Sequence, residues 1–426
     1  MMVDYVNLEY APNKKDLIVM YYVEKAADCE SLEHACEEIA KESSIGTWTE
    51  IATLSGDIAK RLKPSVFHID SINQLIKIAY SEELFEAGNI SQILSAIAGN
   101  IFGMKVLHNL RLIDVSFPHN ILKEYKGPKF GINGIKKLLG INKRPILGTI
   151  VKPKVGLNES QHASVCKQAW MGGLDIVKDD ENLTSMVFNN FEKRITKTLR
   201  ERDKAEQDTG EKKVYMPNIT AKVSTMKKRA DFVKNLGGEY VMVDILTVGF
   251  SALQEIRDYL EDKDMIIHAH RAMHAALTRN KKHGITMLAL AKLMRLIGMD
   301  QLHTGTVIGK MEGSKQEVVN TNKVLTQSYV QGNNLTMLDQ DWGDIKPILP
   351  VASGGLSPLD IPHLIEILGN DIVFQFGGGC HGHPEGTLSG ARAIRQAVEA
   401  ALNGIKLSEY ATSHIELEKA LQKWKN

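Results

Sequence analysis

Residues 145–181 read PILGTIVKPKVGLNESQHASVCKQAWMGGLDIVKDDE. A short apolar run, PILGTIVKP, is followed by a helical pattern and then by a second apolar run, LDIVKDDE, and this unit recurs to the end of the chain. The later strand candidates are VYMPNITA (214–221), YVMVDIL (240–246), MIIHAHRA (265–272), QLHTGTVIG (301–309), KPILPVASGG (346–355) and DIVFQFGGG (371–379). Helical patterns stand behind them, among them RADFVKNLG, ALAKLMRLIG, DIPHLIEILG and GARAIRQAVEAALNG. Eight parallel strand-helix units fit a closed (β/α)8 barrel better than an open doubly wound sheet. The expected class is α/β.

Upstream of GPKFGINGIKKLLGINKRP the pattern differs. Strand-like DLIVMYYVE and QLIKIAYS alternate with helical SLEHACEEIAKES and ISQILSAIAGNIFG, which predicts a compact α+β domain. A chain of 426 residues exceeds what one core usually organises. We therefore expect an N-terminal α+β domain over residues 1–135 and a barrel over 136–426, with SEYATSHIELEKALQKWK as a C-terminal helical tail.

Lys and Arg total 52 against 51 Asp and Glu, so no basic excess exists to hold nucleic acid or an anionic membrane surface. Any anionic ligand must be gripped locally. Cys29, Cys36, Cys166 and Cys380 show neither CxxC nor Cys/His ligand spacing, which argues against a disulfide framework and a zinc site. The opening MMVDYVNLEYAPNKKD has no basic-then-apolar signal pattern, and no later run approaches a membrane span, so the expected location is the cytoplasm.

Barrels of this kind place their chemistry at the C-terminal strand ends. Here those ends carry Lys152-Pro153-Lys154, Lys178-Asp179-Asp180-Glu181, His268-Ala269-His270-Arg271 and His303, with Lys310 following. Asp180 and Glu181 offer the hard oxygens that suit Mg2+. The ammonium of Lys178 would repel that cation, a conflict removed if the amine loses its proton and takes up CO2 as an anionic carbamate. A salt-bridged cluster at a strand end fits the same motif equally well. Ser353-Gly354-Gly355 and Gly377-Gly378-Gly379 follow the seventh and eighth strands, where backbone N–H groups can cradle a phosphate. Arg271 and His303, across the mouth, could hold a second phosphate, although either alone also suits a structural ion pair or a core histidine. Lys152 and Lys154 end an apolar strand and suit general base work, or are simply solvated. Lys310, in Gly309-Lys310-Met311-Glu312-Gly313, suits a lid.

Taken together, Gly172-Gly173-Leu174-Asp175-Ile176-Val177-Lys178-Asp179-Asp180-Glu181-Asn182 and the motifs above resemble the large subunit of ribulose-1,5-bisphosphate carboxylase/oxygenase (Rubisco) from Glu42 to Gly390. Val151–Leu157 and His381-Gly382-His383-Pro384-Glu385-Gly386 are more similar to archaeal (form III) members than to plant ones, whereas Met186 departs from the Gln of many relatives. The resemblance implies a smaller ferredoxin-like N-terminal domain beside the barrel. It also implies a lysine carbamate at Lys178 that joins Asp180 and Glu181 in holding Mg2+, with CO2 as activator. Lys152 would move protons at the substrate's C3 and protonate the product, supported by Lys154. His270 would be the active-site histidine, Arg271 and His303 would bind one phosphate, and Lys310 would neutralise the new carboxylate. Ser353, Gly354, Gly355, Gly377 and Gly378 would hold the substrate and its other phosphate. Glu42-Ser43-Ser44-Ile45-Gly46-Thr47-Trp48-Thr49 and Gly99-Asn100-Ile101-Phe102-Gly103 are similar to segments the family supplies from a neighbouring subunit. By that similarity Glu42 pairs with Lys310, Thr47 and Trp48 help bind a phosphate, and Asn100 approaches metal and substrate.

The implied reaction is carboxylation of ribulose 1,5-bisphosphate by CO2 and water to two 3-phosphoglycerate through a Mg-bound enediol, with O2 attack as a side reaction. The implied setting is AMP salvage, in a homodimer or ring of dimers without a small subunit. Two other readings are a Rubisco-like enolase or isomerase of another phosphorylated ketose, and a non-catalytic sugar-phosphate binding protein. Retention of Glu42, Thr47, Asn100, Lys310 and both phosphate sites favours the carboxylase.

Overall fold

The computed structural model describes residues 4–47, 49, 51–308 and 315–425. The chain divides into two compact units: residues 1–127, 273–298 and 327–346 form the first, and residues 128–272, 299–326 and 347–426 the second.

In the first unit, strands β1 (Asp16–Lys25), β2 (Ser65–Asp70), β3 (Leu75–Ser81) and β4 (Leu107–Ser116) form an antiparallel sheet in the order β4-β1-β3-β2. Helix Leu32–Glu42 connects β1 to the β2–β3 hairpin, and helix Ile90–Ile97 connects β3 to β4. This is the ferredoxin-like βαββαβ arrangement expected of the N-terminal domain. Ser31 caps the first of these helices by accepting from the His34 amide, and its apolar face buries Ala35, Cys36, Ile39 and Ala40. Patterning does not pick out β2 (SVFHID) or β4 (LHNLRLIDVS), because polar residues interrupt both.

The sheet gains a fifth strand from far along the chain: β10 (Gly284–Ile285) runs parallel to β4. The buried ion pair Lys292–Asp114 helps hold that segment. Lys292 Nζ donates to Asp114 Oδ2 at 2.8 Å and to the Val115 carbonyl at 2.9 Å. The same Asp114 oxygen accepts from the Leu338 amide at 2.7 Å, so one carboxylate binds two distant segments to β4. Arg295 extends the arrangement, donating to the carbonyls of Gln327, Ile345 and Lys346 while its guanidinium lies over Trp342. Strands β12 (Tyr329–Val330) and β13 (Gln340–Asp341) form a small antiparallel ribbon.

The second unit is a parallel barrel of β5 (Ile146–Ile150), β6 (Ile176–Lys178), β7 (Val214–Met216), β8 (Tyr240–Asp244), β9 (Ile266–His270), β11 (Gln301–His303), β14 (Leu349–Ser353) and β15 (Val373–Phe376). Each lies within one of the eight apolar runs, which read as continuous rather than alternating because such strands are covered on both faces. The hydrogen-bonded order is β7-β6-β5-β15-β14-β11-β9-β8, and a parallel bridge between Asn218 and Met242 closes β7 onto β8. Helix Gly131–Leu139 packs Ile132, Ile135 and Leu139 against Ile146, Ile176, Val214, Tyr240, Ile266, Leu349 and Val373, plugging the N-terminal end. Each such aliphatic side chain contributes about 1.5–3 kcal/mol on burial. The unplugged end is the one that carries the strand-end lysines and histidines. The tail forms helix Ile415–Trp424. Among the described residues, no helix is long and apolar enough to cross a membrane, and all four cysteines are buried free thiols.

Candidate active site

Lys178, the last residue of β6, is fully buried, and its Nζ donates to the Asp179 carbonyl at 2.7 Å with Glu181 Oε2 at 3.9 Å. Burial pulls its pKa below the usual lysine range, against the opposing pull of Glu181 and Asp180. A lowered pKa eases loss of the proton from this amine. Beside it, Lys152 Nζ donates to Asp180 Oδ2 at 2.7 Å, while Asp180 Oδ1 accepts from the Asn182 backbone and side chain. Burial works against ionisation of Asp180, but the Lys152 ammonium outweighs it and holds the carboxyl below its ordinary value. Glu181 is held low in the same way by Lys178 and then His270. Lys154 reaches Glu181 only at 3.5 Å and is largely exposed.

Directly behind this group lies an anchor that the motif alone does not reveal. Asp179 is fully buried and accepts from Arg194 at 3.0 Å, from the Asn218 amide at 2.9 Å and from the Tyr215 hydroxyl, with His162 at 3.2 Å. Burial alone would raise its pKa, yet Arg194 and His162 drive it far below the carboxylate range. Alternation along the run thus sends Lys178 and Asp180 to the reacting side and Asp179 to the scaffold.

His270 ends β9 with Nδ1 2.7 Å from Asp244 Oδ1 and Nε2 3.6 Å from Glu181 Oε2. A carboxylate at Nδ1 fixes the ring and leaves Nε2 facing the lysine-carboxylate group. Asp244 ends β8 and was not among the residues singled out from the sequence. Its only signal was that position, an acidic residue closing an apolar run.

Arg271 follows His270 and lies over Gly305: a Cβ on that glycine would fall 2.8 Å from the Arg271 guanidinium. Burial lowers the Arg271 pKa to about 10. His303 is buried, with Nδ1 2.7 Å from Ser353 Oγ and Nε2 2.8 Å from His268 Nε2, while His268 Nδ1 meets Gln301 Oε1 at 2.8 Å. Both ring nitrogens of His303 are engaged, so binding a phosphate through Nδ1 requires exchanging Ser353 for it. Burial depresses the pKa of His268 to about 3 and that of His303 well below the ordinary imidazole value, leaving both rings neutral.

The glycine turns complete this end of the barrel. Gly354 and Gly355 adopt φ of +117° and +73°, a region favourable only to glycine. A Cβ on Gly355 or Gly378 would meet nothing within 4 Å, whereas one on Gly377 would lie 3.4 Å from Lys152 Cε. Lys152, Lys178, Asp180, Glu181, His270, Arg271, His303, Ser353, Gly354, Gly355, Gly377 and Gly378 therefore all lie at the C-terminal end of one barrel. Glu42 and Asn100 meet within the first unit, where Asn100 Nδ2 donates to Glu42 Oε1 at 3.3 Å. Thr47 is half-buried in that unit. Trp48 and Lys310 lie outside the described residues. A cleft of about 740 Å3 lies at the opposite end of the barrel unit, with Arg144 committed to Asp175 and Arg395 to Glu211 and Glu399.

Two family models cover nearly the whole chain: the ribulose bisphosphate carboxylase large chain catalytic domain matches residues 131–424, and the N-terminal domain matches residues 4–121. The chain belongs to the Rubisco large-chain family. Among Rubiscos it is similar to the ribulose bisphosphate carboxylases of Methanosarcina mazei and Methanocaldococcus jannaschii, each 52% identical and covering 99% of this chain, with 99% and 100% of the relative covered. Solved Rubisco structures agree. The dimeric archaeal Rubisco from Hyperthermus butylicus superposes with a TM-score of 0.93 at 43% identity, covering 99% of both chains. The octameric Rubisco from Pyrococcus horikoshii OT3, in complex with sulfate ion, gives 0.92 at 48% identity, covering 99% of this chain and 96% of its own. The protein is thus an enzyme of the archaeal Rubisco group.

Proposed function

We propose that this chain carboxylates ribulose 1,5-bisphosphate, with CO2 and water, to two molecules of 3-phosphoglycerate, O2 attack on the same enediol being a side reaction. The observation that carries the reading is the buried, pKa-lowered Lys178 set between Asp180 and Glu181 at a barrel strand end. Among the described residues, no group of three His, Cys, Asp or Glu side chains is arranged to hold a metal. Two carboxylates alone are a sparse set for a divalent cation, and a carbamate on Lys178 would supply the third anionic oxygen. Lys178, Asp180 and Glu181 fit the group on that basis and would hold it. When bound, the ion would act as a Lewis acid on the substrate's carbonyl and hydroxyl oxygens.

The remaining roles belong to the chain's own residues. Lys152, held by Asp180 beside the glycine turn, is placed to assist proton movement at C3 and to protonate C2 of the departing three-carbon fragment. His270, oriented by Asp244, presents Nε2 to the same space. Arg271 binds one phosphate, joined by His303. The amides of Gly354, Gly355, Gly377 and Gly378 and the Ser353 hydroxyl receive the other, with Lys154 at the rim. Substrate C2 bonds to the CO2 carbon, water adds at C3, and the C2–C3 bond breaks with its electron pair taking the proton at C2. Lys310 neutralises the new carboxylate. Glu42, Thr47, Trp48 and Asn100 come from the partner subunit of a homodimer or ring of dimers without a small subunit. The dimeric and octameric assemblies named for the Hyperthermus and Pyrococcus structures support that arrangement. By family resemblance the role would be cytoplasmic, with the pentose bisphosphate supplied by AMP salvage.

The test is fixation of 14C-bicarbonate into acid-stable 3-phosphoglycerate in the presence of Mg2+ and ribulose 1,5-bisphosphate, without oxygen. Label with the wild type and none with Lys178→Ala is the expected result. No label, with substrate C3 proton exchange intact, would replace the carboxylase by an enolase acting on a phosphorylated ketose.

A further inference from the structure

His381 lies within the turn that follows β15, at the end of the single helical turn Gly378–His381. Its Nε2 is 2.9 Å from the Ile150 carbonyl and 2.9 Å from Thr149 Oγ1, both at the end of β5, and its Nδ1 is 3.0 Å from Thr387 Oγ1 in helix Gly386–Leu402. These contacts fix the ring's protonation. A carbonyl only accepts, so Nε2 carries the hydrogen and Nδ1 takes the Thr387 hydroxyl proton. Thr149 Oγ1 in turn donates to the Phe376 carbonyl at 2.8 Å, leaving its lone pairs for Nε2–H. Burial lowers the ring's pKa to about 4, consistent with that neutral form.

Two residues beyond Ile150 stands Lys152, and its stem passes over the same turn, 3.4 Å from the position of a Cβ on Gly377. On its outer side the turn is tightly seated. A Cβ on Gly379 would fall 2.0 Å from the Leu356 carbonyl, and one on Gly390 would fall 1.9 Å from the Cys380 carbonyl. The turn is thus packed closely against its neighbours there, and the imidazole spans from it to the strand end.

We infer that His381 is a positioning residue, which pegs the glycine turn to the end of β5 and so sets the distance between the phosphate-binding amides of Gly377 and Gly378 and the amine of Lys152. This rests on the proposed roles of those three residues. A bisphosphate gripped at the turn presents its reacting carbon to Lys152 only at one separation, and a misplacement on the order of 1 Å can cost roughly 10²-fold in rate.

The experiment compares the full-length wild type with His381→Leu, which keeps bulk but loses all three contacts, His381→Gln, whose amide can still donate to Ile150, and the milder Thr387→Val. Substrate C3 proton exchange, kcat and KM are measured with binding of an unreactive pentitol bisphosphate, together with the acylation rate of Lys152 read by peptide mass. The expected result is a loss of roughly 10²-fold in exchange and kcat for His381→Leu. Bisphosphate affinity changes little, Lys152 acylates faster, His381→Gln recovers most of the loss, and Thr387→Val shifts the same way. Wild-type exchange and unchanged Lys152 acylation in both His381→Leu and Thr387→Val would overturn the inference. If His381→Leu fails to fold, the other two variants decide it. If the wild type itself shows no exchange, the functional reading fails, while Lys152 acylation across the variants still decides whether His381 positions that lysine.

Discussion

At the scale of single residues, the site works by pairing each reactive group with a neighbour that fixes its state. Burial lowers the pKa of Lys178, Lys152 holds the Asp180 carboxyl below its ordinary value, and His270 is oriented by Asp244. Replacing Asp244 by Asn keeps the shape of the contact but removes the charge that orients the imidazole. We expect kcat to fall by about 10²-fold with little change in unfolding midpoint, checked by steady-state kinetics beside urea titration. The neutral histidines make a second prediction. His268 and His381 titrate near 3 and 4 in the folded chain but near the ordinary 6.5 when unfolded. Between those values the unfolded state binds more protons, so stability is complete above about pH 6.5 and declines as pH falls, by up to about 1.4 kcal/mol per pH unit for each histidine. Urea midpoints measured at pH 7.5 and 5.5 should show the drop, and His381→Gln should reduce it. An equal midpoint at both values would contradict the assignment of neutral rings.

At the scale of elements, the helix Gly131–Leu139 does for the barrel what a floor does for a well. It ends at Gly140, whose φ of +68° caps the helix and turns the chain toward Ile141 and β5. Because Ile135 is wholly buried among strand residues, Ile135→Ala should cost about 2–5 kcal/mol in denaturant unfolding. Since the plug is at the end opposite the lysines, substrate KM in that variant should stay near the wild-type value under native conditions. The helix Glu159–Met171 carries a reciprocal cap, in which Asn158 accepts from Gln161 and Gln161 returns the bond to Asn158. Its loss in Asn158→Ala should cost about 1 kcal/mol.

At the scale of the whole molecule, three separated stretches of chain build the first unit, and Asp114 is where they meet. Its carboxylate holds Lys292 from one stretch and the Leu338 amide from another, in a setting from which water is excluded. Removing one partner strands the other's charge. Lys292→Met should therefore destabilise the protein by about 3–5 kcal/mol, while the double replacement Asp114→Leu with Lys292→Met should recover much of that loss, measured as a double-mutant cycle in urea.

What the sequence determined by itself follows from locality. The eight barrel strands announce themselves because strands covered on both faces must be apolar throughout, and the catalytic candidates announce themselves because polar residues closing such runs are out of place in a core. Lys152, Lys178, Asp180, Glu181, His270, Arg271 and His303 were all legible in that way. The resemblance then singled out Glu42 and Asn100 separately; that their side chains meet only the fold shows. Tertiary structure alone decided the rest. β2 and β4 carry too many polar residues for an apolar pattern to mark them. Asp244, His381 and Asp179 acquire their roles from partners on other strands, and a side chain's own neighbours in sequence do not specify those. The gathering of residues 273–298 and 327–346 with the N-terminal sheet rests on Lys292 and Asp114, 178 positions apart. A contact across that separation leaves no local trace, because the energy of a buried ion pair depends on the burial and not on either residue's place in the chain.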